Sequence, residues 1–242
     1  MLNVAVVGYG YWGPNLVRNF VEAPESEVVM VADISEANLK RVSSRYPAIQ
    51  TTTSVDDIYN NNGIDAVVIA TPVNTHYELA LNALQSGKHV MVEKPMASSS
   101  EQAKHLIQEA QSRNLVLMVD HTFVYTGAVR KIANLVREGE LGDVLYYDST
   151  RINLGLFQHD VNVIWDLAVH DLSIIEYVLN KEPRAVSATG MSHVEGEPEN
   201  VAYLTIYYDD NLIAHVNVNW LAPVKVRRTL IGGSKKMIVY DA

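Results

Sequence analysis

The sequence predicts an α/β chain in two parts, a doubly wound parallel sheet over residues 1–121 followed by an α+β domain with an open, mainly antiparallel sheet over 122–242. Three observations predict it. Short, almost wholly apolar runs alternate with helical stretches in the first half, as parallel strands covered on both faces require. A glycine-rich turn directly follows the first run, and near residue 120 the rhythm changes to strands with one apolar and one polar face.

In chain order, Val4–Val7, Val28–Ala32, Ala66–Ala70, Val90–Glu93 and Leu115–Val119 read as strands. A helix starts near Pro14, a residue suited to a first helical turn, and Gly87 closes a helix over Thr75–Ser86. Ser99 with Gln102 forms a capping box for the next helix. Beyond the change of rhythm, a helix over Ala128–Glu138 is closed by Gly139, and 162–179 reads as one further helix. Strand-like segments lie at 144–153, 184–193, 201–208, 212–221, 226–231 and 236–240. Alternation is clearest where Ala214, Val216, Val218 and Trp220 interleave with His215, Asn217 and Asn219. An open sheet with one packed face leads to the expectation of a homodimer or homotetramer.

Composition narrows the chemistry. The 242 residues carry a net charge of −9 and are 48% hydrophobic, enough to build cores and too apolar for a disordered chain. The acidic balance, without a Lys/Arg cluster, argues against nucleic acid as a partner. No apolar stretch reaches membrane-spanning length and no charged leader opens the chain, so a cytoplasmic protein without a membrane partner is expected. The absence of cysteine removes disulfides, thiolate nucleophiles and cysteine-ligated metals. Eight histidines form no His-Glu-x-x-His pattern, so no metal is expected, and no Gly-x-Ser-x-Gly elbow points to a hydrolase.

Gly8-Tyr9-Gly10-Tyr11-Trp12-Gly13 lies between a strand and a helix, the context in which such a turn admits a pyrophosphate to free helix N–H groups. Gly8, Gly10, Tyr11, Trp12 and Gly13 are thus candidate cofactor contacts in a Rossmann-type domain. Asp33 ends the second strand, where a carboxylate accepts from ribose hydroxyls and repels a 2′-phosphate, favouring NAD over NADP. Its competing role is to cap the helix that begins at Ser35-Glu36. Glu93-Lys94-Pro95 follows the strand at Val90–Glu93, at the sheet edge where open α/β proteins bind ligands. Lys94 there can exchange a proton with a substrate hydroxyl; the alternative is a surface Glu-Lys pair before a proline turn. In the 162–179 helix, Asp166 and His170 stand one turn apart, so the carboxylate can orient the imidazole for proton transfer; the alternative is a solvated polar face. Asp171 falls near the apolar stripe and, if buried, needs a partner that the sequence does not name.

Four segments in order, Gly8–Gly13, Thr71-Pro72-x-Asn74-x-His76, Glu93-Lys94-Pro95 and Asp166-x-x-x-His170, resemble the glucose-fructose oxidoreductase and inositol dehydrogenase (Gfo/Idh/MocA) family over essentially the whole chain. Tyr9–Leu16, Trp165–Ala168 and Asn219–Leu221 are similar to its nucleotide-sugar 3-dehydrogenases, which act on UDP-N-acetylglucosamine or its uronate. The resemblance implies NAD-dependent oxidation of a secondary ring hydroxyl, with Lys94 between nicotinamide and the reacting carbon, His170 as proton acceptor and Asp166 on a sugar hydroxyl. It places Thr71, Pro72, Asn74, His76 and Glu93 around the nicotinamide half of the cofactor. It also offers Arg151 and Asn153 as sugar contacts and Arg227, with Arg228, as a diphosphate contact. A dehydrogenase of a free sugar or polyol such as inositol, and a non-catalytic NAD-binding sensor, are the rival readings. Members of the subgroup continue beyond the strand that here precedes Ala242, so the resemblance implies a second domain incomplete at its C-terminus.

Overall fold

The computed structural model describes residues 1–154 and 161–242, in two compact units, Met1–Asp120 and His121–Ala242, each with its own sheet. In the first unit the parallel sheet has the order β3-β2-β1-β4-β5-β6, where β1 is Leu2–Val7, β2 Ser26–Ala32, β3 Gln50–Thr52, β4 Ala66–Ile69, β5 His89–Val92 and β6 Leu117–Val119. Val4, Ala5, Val6, Val67 and Ile69 are fully buried because helices cover both faces of these central strands. The helices are α1 (Gly13–Glu22), α2 (Glu36–Arg45), the single turn α3 (Asp56–Tyr59), α4 (Val73–Gln85) and α5 (Ser100–Ser112). Ser99 caps α5 by accepting from Gln102 N, and Gly87 takes the left-handed φ of 79° after α4. The polar strand β3 was not among the expected ones: at the sheet edge, Gln50-Thr51-Thr52 needs no apolar alternation. The strand order reverses between β1 and β4, which opens a crevice at their carboxyl ends.

In the second unit, β7 (Val144–Ile152), β8 (Ala185–Met191), β9 (Val201–Tyr207), β10 (Ile213–Asn219), β11 (Val226–Gly233) and β12 (Met237–Asp241) form a sheet of order β12-β11-β7-β10-β9-β8. It is antiparallel except that β10 runs parallel to β7. Helices α6 (Gly127–Arg137) and α7 (Val169–Leu179) share a core with the sheet's apolar face, including Ala133, Ile175, Val178, Tyr147, Val216 and Val218.

The helix expected over 162–179 is not uniform: Ile164–Ala168 forms a π turn and α7 begins at Val169. The buried positions run Val163, Ala168, Asp171, Ile174, Ile175, Val178 and Leu179, with a five-residue first step that matches the wider i→i+5 turn. Asp171 thereby falls inside the buried stripe, only 2% exposed.

Candidate active site

In the first unit the glycine turn is built by close backbone approach. A Cβ on Gly13 would stand 2.1 Å from Gly8 O, and one on Gly8, whose φ is +95°, would stand 2.5 Å from Ala70 O. A Cβ on Gly10 would meet nothing within 4 Å, so the outer side of the turn is open. Trp12, the N-cap of α1, supplies no side-chain cap; Pro14 has no N–H and Asn15 N–H donates to Trp12 O at 2.9 Å, so the helix start offers a ligand the N–H of Gly13. Tyr11 is exposed and stacks loosely on Trp12, ring centroids 6.4 Å apart. These features fit the pyrophosphate of a dinucleotide.

Asp33 is fixed by three donors: Tyr9 N to Oδ2 at 2.6 Å, Asn38 Nδ2 to Oδ2 at 3.2 Å and Ser35 N to Oδ1 at 2.7 Å. Ser35 caps α2, accepting from Asn38 N, so the rival capping role for Asp33 is taken by its neighbour. A carboxylate has about four acceptor sites, so Asp33 keeps capacity on Oδ1 for a ribose hydroxyl. Tyr9, buried at 2% exposure, anchors the turn in the core shared by Leu16, Val17, Leu39 and Val42.

Thr71 bonds Thr75 through hydroxyls 2.7 Å apart, Pro72 precedes α4, and Asn74 is exposed in its first turn. His76 is different. It is 1% exposed, and its two ring nitrogens lie 2.8 Å from Thr71 O and 2.8 Å from Pro95 O. The side chain ties the β4 loop to the Lys94–Pro95 turn, whose peptide is cis. Lys94 leaves the carboxyl end of β5, and its N–H donates to Glu93 Oε2 at 3.2 Å. Burial first, and then the nearby Asp120 carboxylate, push the Glu93 carboxyl up to about 8, while Lys94 acts in the opposite sense. Asp120, itself 7% exposed, was missed by sequence reading because it bears on Glu93 only through the pairing of β6 with β5.

In the second unit, Asp166 Oδ2 accepts from Trp220 Nε1 at 3.1 Å, and the His170 ring meets Phe123 edge-on with centroids 4.9 Å apart. Asp171 accepts from Ser149 Oγ at 2.5 Å and forms an ion pair with Arg151, Nε to Oδ2 at 2.6 Å and Nη2 to Oδ1 at 3.3 Å. This names the partner the sequence could not. Arg151 is 5% exposed and gives Nε and Nη2 to Asp171, so any contact with a sugar falls to the rest of its guanidinium group. Asn153 follows the end of β7, its N–H donating to Asn219 O at 3.0 Å. Arg227 pairs in register with Arg151, whereas Arg228 is the next residue on β11 and is exposed. Successive strand residues point to opposite faces, yet Arg227 and Arg228 both line one small cavity. Among the described residues, no three His, Asp or Glu side chains form a group able to hold a metal ion, and no helix is long and apolar enough to cross a membrane.

The fold and the glycine turn define a dinucleotide-binding protein with an appended α+β unit. Residues 2–121 match the model of an oxidoreductase family with an NAD-binding Rossmann fold, and residues 129–239 match the GFO/IDH/MocA C-terminal domain. The chain belongs to the Gfo/Idh/MocA oxidoreductase family, and its first unit is an NAD-binding Rossmann domain. It is 29% identical over 211 residues to a UDP-N-acetylglucosamine 3-dehydrogenase of Acidithiobacillus ferrooxidans, covering 85% of this chain and 63% of the relative. It is 27% identical over 192 residues to an NAD-dependent scyllo-inositol 2-dehydrogenase of Bacillus subtilis (strain 168), covering 77% and 56%. The chain thus spans less than two thirds of either relative's length. Among solved structures, GenD2 from gentamicin A biosynthesis, in complex with NAD, superposes with a TM-score of 0.93 at 25% identity over 99% of this chain and 72% of GenD2.

Proposed function

We propose that the protein is an NAD-dependent dehydrogenase that oxidises a secondary ring hydroxyl, C3 of a UDP-linked amino sugar or of its uronate. The observation that carries this reading is that Lys94, the open turn at Gly10 and the fixed carboxylate of Asp33 all leave the carboxyl edge of one parallel sheet, at the ends of β5, β1 and β2. Gly8, Gly10, Gly13 and the α1 N-terminus would hold the pyrophosphate, Asp33 the adenosine ribose, and Thr71 and Asn74 the nicotinamide half, with Lys94 beside the nicotinamide ring but not needed to hold it. Bound NAD supplies the hydride acceptor. Lys94 orients the substrate hydroxyl, and His170 takes its proton as the carbon gives up its hydrogen with the bonding pair. Asp166, steadied by the Trp220 indole, binds a neighbouring hydroxyl. His76 and Glu93 position the loops that carry Thr71 and Lys94.

The likeness to an inositol dehydrogenase supports a second substrate class, free polyols. A panel of UDP-sugars and free polyols, each mixed with stoichiometric protein and NAD, separates the two by NADH absorbance in one turnover. NADH from UDP-N-acetylglucosamine or its uronate is the expected result. NADH from polyols alone would move the assignment to the second class, and none from any sugar despite NAD binding would favour a sensor without turnover.

A further inference from the structure

We propose that Arg151, Arg227 and Phe123 form an anion subsite in the second unit that takes an oxyanion of the substrate, a sugar carboxylate or a phosphate. Both guanidinium groups lie over the one Phe123 ring, Arg151 at 4.6 Å and Arg227 at 5.5 Å from its centroid. Two cations, Arg151 buried and Arg227 half-buried, therefore share a corner in which Asp171 is the ion-pair partner of Arg151. That carboxylate already accepts from Ser149 and from Nε and Nη2 of Arg151. Among the described residues, Nη1 of Arg151 and Nε of Arg227 are buried with no hydrogen-bond partner. Orphaned donors on charged groups are costly inside a protein, and cation–π contact with one phenyl ring offsets only part of that cost. Burial, and then the Arg151 charge beside it, lower the Arg227 pKa, as expected of a cation lacking its counter-ion.

Phe123, Arg151, Asp171, Arg227, Arg228 and Tyr240 are among the residues lining a small cavity of about 10 Å³, room for a group the size of one oxygen. An oxyanion placed there would accept from both orphaned N–H groups and bring the two charges toward balance. The site adjoins the residue read above as proton acceptor, because Phe123 also meets His170. The inference rests on the dehydrogenase reading for its substrate and narrows it, favouring an acidic or phosphorylated sugar over a neutral polyol.

The test is thermal unfolding of the full chain and of Arg227→Met, a variant that keeps the stem volume and removes the charge, at matched ionic strength in sodium chloride, glucuronate, UDP or inorganic phosphate. Binding to the folded state should raise the wild-type melting temperature by about 3 °C or more in at least one of the three anions. Glucuronate acting alone identifies a sugar carboxylate, and UDP with phosphate identifies a phosphoryl group. Arg227→Met should lose the rise and, in chloride, melt at or above the wild-type temperature, because a cation without a partner has been removed. An unresponsive wild type, an equal rise in the variant, or a variant that melts several degrees lower in chloride each overturns the proposal. Turnover distinguishes this failure from failure of the dehydrogenase reading. Sugar oxidation at an equal kcat/KM in both proteins sinks the subsite alone, whereas anion binding without any sugar oxidation sinks the dehydrogenase reading alone.

Discussion

At Asp171 a charge sits where the helix pattern calls for an apolar side chain, and the fold resolves it with three donors from β7. Removing the carboxylate would leave Arg151 buried without its counter-ion, so Asp171→Ala should lose about 3–5 kcal/mol in urea unfolding at an unchanged m-value. A loss under about 1 kcal/mol would show that the pair is solvated. Glu93 behaves in the opposite way. With its carboxyl held up to about 8 by burial and by Asp120, against an ordinary 4.5, the folded chain keeps a proton that the unfolded chain releases between these values. Stability therefore falls as pH rises through that window and levels off above it. Glu93→Gln should flatten this part of the profile and gain about 1–3 kcal/mol at alkaline pH after allowance for solvent screening; a slope equal to wild type would contradict the assignment. The anomaly at Asp171 was legible in the sequence as a charge near an apolar stripe. Its partner was not, because Arg151 lies 20 residues away on another element and burial of the pair is a tertiary fact. The same reason hid Asp120 and Phe123, and it hid the part of His76 as a buried brace between two loops.

At the scale of elements, the glycine turn is the most constrained. Gly13→Ala puts a Cβ 2.1 Å from Gly8 O, so the turn must open, and NAD affinity should fall by about tenfold or more, measured by calorimetric titration. An unchanged Kd would mean that the turn does not seat the cofactor. The strands of both sheets could be read because apolar runs and period-two alternation are local signals. The edge strand β3 has no such signal, and the parallel pairing of β10 with β7 depends on connections that alternation does not report. The π turn at Ile164–Ala168 could not be read either: a 3.6-residue period explains most of the positions, and only the inward placing of Asp171 betrays the extra residue.

For the whole molecule, the proposed activity is hydride transfer from a sugar carbinol to NAD held by the Rossmann domain, with Lys94 required for the chemistry and not for holding the cofactor. The order of the two units was legible because four short motifs recur in sequence at suitable spacing. The substrate was less so, since Arg151 and Arg227 acquire their meaning only when β7 and β11 are paired. The most direct measurement follows NADH absorbance in a single turnover of stoichiometric protein and NAD with UDP-N-acetylglucosamine or its uronate, wild type beside Lys94→Ala, with NAD binding titrated separately for both. The expected result is one NADH per site in the wild type and none in Lys94→Ala at an unchanged NAD Kd. Equal NADH formation by the two proteins would contradict the role of Lys94, and its absence from both, with NAD bound, would contradict the dehydrogenase itself.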